Sequence, residues 1–288
     1  MFLLAIRRRF FAATATSAAC ALVGALAFTA SAANAQGNYG VEVESRKEND
    51  GHRVIARNAG RAPVEVMFAL ANSSNLSSAR SFPFTLVLQP GEMQEATRVS
   101  AVNRAQGYAF SYRYSTRLGD PRARPDTNAR YRLPFANGLS FMVSQAPGGP
   151  IVTHNDAQAA NAIDIVMPEG TPIVAARAGV VLEVYQASET RADLAGRGNL
   201  IRIFHDDGTW ADYAHLSRAA PDLRPNERVE AGTLIGYSGN TGQSSGPHLH
   251  FHVQVNAGGR IESLPVRFST HTRGIVTPTY RGVLSADY

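Results

Sequence analysis

From Gly246 to Val253 the chain reads Gly-Pro-His-Leu-His-Phe-His-Val, a strict alternation of imidazole and apolar side chains. An extended strand sorts residues two apart onto one face, so His248, His250 and His252 share a side and Leu249, Phe251 and Val253 share the other. Packing accounts for the apolar set. It does not account for the imidazoles, because a buried histidine ordinarily has one polar partner and no further task. Aligned imidazoles can divide the work of metal ligand and proton carrier.

The same period of two recurs along most of the chain. Val64, Val66, Phe68 and Leu70 alternate, as do Tyr108, Phe110, Tyr112 and Tyr114. Turn-rich pieces such as Asn72-Ser73-Ser74-Asn75 and Gln89-Pro90-Gly91 separate them. Residues 36–130 are therefore expected to form a small β-sandwich of immunoglobulin-like type. Its one histidine, His52, has no cluster around it, so a structural or substrate-positioning role is expected. Residues 117–126, polar with two prolines and a glycine, read as a connector. Residues 131–265 are strand-like again, in Ile163–Val166, Ile173–Ala176, Val180–Val184, Leu200–Phe204 and Leu249–Val255. No long run carries a helical stripe, so the fold class is mainly β with very little helix. The polar stretch 266–288 is a C-terminal tail, either folded back or loose.

The start of the chain sets the compartment. Arg7, Arg8 and Arg9 precede an apolar run that ends in Ala33-Asn34-Ala35-Gln36, so residues 1–35 are expected to be a cleaved signal peptide. The product would be periplasmic or extracellular, with no stable membrane anchor. Cutting after Ala35 leaves 288 − 35 = 253 residues and removes Cys20, the only cysteine. A metal site must then use His, Asp or Glu. The formal charge of +5 falls by three arginines to +2, too little to argue for nucleic acid.

Seven of the eight histidines lie beyond residue 150: His154, His205, His215, His248, His250, His252 and His271. Asp164 sits between Ile163 and Ile165, where a carboxylate is costly to bury unless it is paired or bound to metal. Spacing alone leaves it equally open to a solvent-facing or salt-bridged role. Asp206-Asp207-Gly208 reads as a hairpin turn that puts His215 on the returning strand.

Several stretches in order carry a family resemblance: Ala162 to Ile173, Ala175 to Val181, Tyr213-Ala214-His215-Leu216, Gly232 to Gly242, and Gly246 to Phe251. Together they resemble the lysostaphin/LytM-type peptidoglycan metalloendopeptidases. The resemblance implies an antiparallel β-sheet catalytic domain and one Zn2+ per chain. The metal would be held by His154, Asp164 and His250, with His215 and His248 doing the chemistry. It further implies that peptidoglycan stems and cross-links are the substrate, with a monomer as the working expectation. His248 would take the proton of the attacking water, and His215 would donate to the oxyanion. The sequence departs from the commonest family pattern at two places. Ala160 occupies the usual position of the first ligand, so His154, ten residues before Asp164, is taken in its place. His252 stands where a carboxylate is frequent. Some relatives that have lost ligands activate cell-wall amidases, and Ala160 keeps that alternative open.

Overall fold

Extended backbone dominates the computed structural model, which describes residues 39–151, 153–186 and 198–288; the expected signal segment, 1–35, lies outside the described residues. The first seven strands are β1 (Val41–Glu48), β2 (Gly51–Asn58), β3 (Val64–Ser74), β4 (Leu76–Ser78), β5 (Phe84–Leu88), β6 (Met93–Ala101) and β7 (Ala109–Leu118). They make two antiparallel sheets, β1-β2-β6-β4 and β5-β3-β7. Val54, Val64, Val66, Phe68, Leu88 and Tyr112 meet between them. The alternation in β3 and β7 thus feeds one shared apolar layer, the arrangement of a sandwich.

Eleven strands build a larger sheet, the last strand of the chain and ten that precede it: β8 (Ser140–Gln145), β9 (Ile163–Val166), β10 (Pro172–Val174), β11 (Gly179–Tyr185), β12 (Asn199–Phe204), β13 (Trp210–Ala219), β14 (Arg228–Val229), β15 (Leu234–Ser238), β16 (His248–Asn256) and β17 (Ile261–Leu264). After them come β18 (Phe268–Thr270), β19 (Gly274–Val276) and β20 (Val283–Ser285). The main order is β14-β11-β12-β13-β16-β9-β8-β20, with β10, β15 and β17 branching from it. Among the described residues there is no helix. One face of the sheet sends Ile163, Ile165, Ile201, Ile203, Tyr213, Leu249, Phe251 and Val253 into the main core. The other face carries His248, His250 and His252, as the alternation requires. The C-terminal stretch folds back: β20 pairs with β8, and Phe268, Leu284 and Ala286 are buried in the same core.

The sandwich packs on the polar face of the large sheet, at the end away from His248. Ala62 and Leu118 meet Trp210 and Ile261, with Tyr39 alongside. The residues expected to be a connector begin this contact. Gly119 has φ +87° and lies so close that a Cβ would stand 3.1 Å from the Trp210 ring and 3.2 Å from Asn256. Only glycine satisfies both the backbone and the approach. Asn256 Nδ2 donates to Gly119 O and to Glu65 Oε2, each at 3.1 Å.

His205 closes the β12 strand and is fully buried. Its Nδ1–H donates to Ala178 O at 2.8 Å, and Nε2 has no partner. Burial pushes its pKa down to about 4, because a proton on Nε2 would bury an unpaired charge. An unfolded chain takes up that proton near pH 6.5, whereas the folded chain resists until about 4. Stability is therefore intact above pH 6.5 and drains away as pH falls toward 4. Urea unfolding at pH 7 and pH 4.5 is expected to show a loss of about 2–3 kcal/mol from this group. The dependence should flatten by that amount in His205→Gln.

Candidate metal centre

Antiparallel register lays the site out in rows across the polar face. His250 on β16 stands opposite Asp164 on β9 and Ala214 on β13, and Ala214 stands opposite Leu200 on β12. Asp164 in turn faces Gln145 on β8. His250 Nδ1 lies 2.9 Å from Asp164 Oδ1. The third member comes from outside the sheet. His154, on the segment between β8 and β9, places Nε2 3.2 Å from Asp164 Oδ2. Thr153 beside it is tied back to Gln145, its hydroxyl donating to Oε1 at 2.9 Å. Ligand atoms of His154, Asp164 and His250 all lie within 4.8 Å of one another. Donors this close could share one divalent cation. Ala160 sits exposed in the turn that follows.

His215 and His248 flank the triangle. Their rings are 4.7 Å apart, and His215 is 5.8 Å from the His250 ring. His215 is the extra residue of a β-bulge, because Leu200 pairs with Ala214 and Asn199 with Leu216. Its φ of +61° is uncommon for a residue with a Cβ. Such a bulge re-aims one side chain without moving the strand. The Nδ1–H of His215 donates to Thr241 O at 2.8 Å, and that of His248 to Gly246 O at 2.8 Å. Both rings are thereby pinned with Nε2 toward the site; His248 Nε2 stands 3.8 Å from Asp164 Oδ1. In the neutral ring Nε2 then carries a lone pair.

Burial opposes ionisation of Asp164. Hydrogen bonds from His154 and His250 and the nearby imidazoles outweigh it, holding the carboxyl well below the usual range. Burial also pushes His250 down to about 4, against the pull of Asp164. It lowers His215 as well, helped by the neighbouring His248. All three groups are thus in the form a metal site needs near neutrality: carboxylate and neutral imidazoles. A cleft of about 310 Å³ opens against His215, His250 and His252, walled by Asp156 and Gln158 and given room by the small Ala214.

Of the sequence candidates, His154, Asp164, His215, His248 and His250 converge. His205 and His271 lie elsewhere: His205 packs edge-on against Tyr131, and His271 lies near Tyr288. His52 belongs to the sandwich, where its Nδ1 is 2.7 Å from the Tyr108 hydroxyl. Sequence reasoning passed over Thr241, Gln145, Arg202 and Asp212. A threonine whose carbonyl holds the His215 ring leaves no local signal.

A histidine–aspartate–histidine triangle with two more imidazoles beside it is compatible with a bound metal ion. Residues 158–262 match Peptidase family M23, a span that includes Asp164, His215, His248 and His250 and begins after His154. The DD-carboxypeptidase/endopeptidase Mpg of Neisseria meningitidis serogroup B is 36% identical over 94 residues, 33% of this chain and 20% of its own length. Lysostaphin of Staphylococcus simulans is 36% identical over 96 residues, 33% of this chain and 18% of its own length. The chain thus spans about a fifth of the length of these curated relatives. The crystallised catalytic domain of that lysostaphin is 30% identical, with 41% of this chain and 84% of that one covered and a TM-score of 0.33.

Thr241 secures the bulge. Its hydroxyl donates to Leu216 O at 2.8 Å and accepts from Asn199 N at 2.9 Å. Thr241→Val keeps the shape and removes both bonds inside the protein. A loss of about 1–3 kcal/mol in urea unfolding is expected.

Proposed function

We propose that this chain is a zinc-dependent endopeptidase that hydrolyses peptide cross-links or bridges of bacterial peptidoglycan after export from the cytoplasm. The observation that carries the reading is the His154–Asp164–His250 triangle, with the Nε2 atoms of His215 and His248 turned toward it. The names of the relatives, an endopeptidase and lysostaphin, supply the substrate class. Three nitrogen and oxygen donors, without cysteine, suit zinc with one position open. The rival reading, a metal-free activator of amidases, rested on Ala160. The 3.2 Å approach of His154 to Asp164 speaks against it, because a first ligand is available from a longer segment.

Zinc at this site would polarise the scissile carbonyl and acidify a water. The chain's own groups handle the protons. With Nδ1–H fixed on Thr241 O, neutral His215 presents only a lone pair at Nε2, so it can donate only after it has accepted. We therefore assign the proton of the attacking water to His215, which then returns it to the leaving amine. His248, whose Nδ1–H is held by Gly246 O, presents the same lone pair at Nε2 and can donate to the substrate oxygen only after it has itself taken a proton. This exchanges the two roles expected from the sequence; the support is the burial that keeps His215 neutral, since both rings share one tautomer. The cleft beside Ala214 would seat one limb of an extended peptide. The sandwich, set at the far end of the same face, would border that cleft.

Metal analysis of the mature protein should give about one zinc per chain, lost in His154→Ala. His215→Ala and His248→Ala should retain zinc and digest purified sacculi at least ~100-fold more slowly. Normal digestion by either variant sinks the assignment. The lowered His215 also fixes a sign: a base must be deprotonated, so the acid limb of kcat/KM should lie below pH 6.5. A limb above that value in a rate profile would contradict it.

A further inference from the structure

The row next to the metal row is made of charge. Glu183 on β11 stands opposite Arg202 on β12, Arg202 opposite Asp212 on β13, and Asp212 opposite His252 on β16. Arg202 grips Asp212 with two bonds, Nε to Oδ1 at 2.7 Å and Nη2 to Oδ2 at 2.6 Å. Arg202, Asp212 and His252 are 6%, 4% and 8% exposed. An ion pair this deep is costly to bury, and an apolar pair of the same volume often stabilises a fold as well or better. Its position suggests another use. His252 Nδ1 lies 2.8 Å from His250 Nε2, and His252 Nε2 lies 3.4 Å from Asp212 Oδ2. The second distance is long for a hydrogen bond but short enough for the carboxylate to attract a proton held there.

We propose that His252, Asp212 and Arg202 are positioning residues that fix the tautomer of His250. Two imidazole nitrogens facing each other at 2.8 Å need one proton between them. Asp212 favours the proton of His252 on Nε2, which leaves His252 Nδ1 as an acceptor. Were a metal to replace the contact between His250 Nδ1 and Asp164, His250 would donate from Nε2 and leave Nδ1 bare to hold it. Arg202 holds Asp212 at its post through both oxygens. Tyr39 closes the far end of the row, its hydroxyl accepting from Arg202 Nη1 at 3.2 Å. The inference rests on the reading that His250 holds zinc. It adds that the neighbouring strands, and not the ligand alone, set the affinity.

The test uses the full mature protein and Zn2+ alone, with affinity measured by competition against a chelator. His252→Leu, which cannot accept the Nε2 proton, should bind zinc about 10- to 100-fold more weakly. Its apo protein should unfold at the wild-type urea midpoint or above it. His252→Gln can accept from His250 and donate to Asp212, so it should stay within about threefold of wild type. Equal zinc affinity in His252→Leu would overturn the proposal while the metal reading stands. Wild-type protein without zinc affinity would overturn both. Should His252→Leu fail to fold, the nitrogen NMR spectrum of zinc-loaded wild type decides: His252 protonated at Nε2 supports the relay, and protonation at Nδ1 rejects it.

Discussion

The antiparallel register between β13 and β16 is the constraint on which the site depends. It sets Ala214 against His250 and Asp212 against His252, while β9 adds Asp164 on the far side of His250. A slip of one residue would turn every imidazole into the apolar core and bring Phe251 and Leu249 to the surface. The buried aliphatic and aromatic face therefore locks the positions of the polar groups on the opposite face. The energy that holds the ligands in place comes mostly from side chains that never touch them.

The two faces of that sheet divide the molecule. One is sealed by the main core. The other is covered at its Trp210–Asn256 end by the sandwich and left open where His248 and His250 stand. The close approach at Gly119 and the Arg202–Tyr39 bond tie the first strands to the sheet that bears the site.

Much of this could be read from residue order. The alternation from His248 to Val253 gave a strand, a face and a candidate ligand, and the Asp-Asp-Gly turn returned His215 to the neighbouring strand. Asp164 was undecided by spacing, since a lone carboxylate between isoleucines has no partner until β9 is registered against β16. The Glu183–Arg202–Asp212–His252 row was invisible for the same reason. Each member is ordinary in its own strand, and only lateral pairing makes a row. The bulge at His215 left no glycine or asparagine to announce a left-handed residue. The C-terminal stretch was open to folding back or hanging loose; it folds back, with Phe268, Leu284 and Ala286 buried in the core and β20 set against β8, Val283 opposite Met142 and Ser285 opposite Ser140.

The segment that delivers His154 also supplies Asp156 and Gln158 to the cleft wall, and Gln254 Nε2 ties Gln158 O to β16 at 2.8 Å. An ion gripped by both His154 and the sheet would act as a clasp on that wall. Loading and peptide capture are then thermodynamically linked: whatever strengthens one strengthens the other by the same factor. Without the ion that segment would be held to the sheet less firmly, and a molecule bound in the cleft would slow escape of the ion.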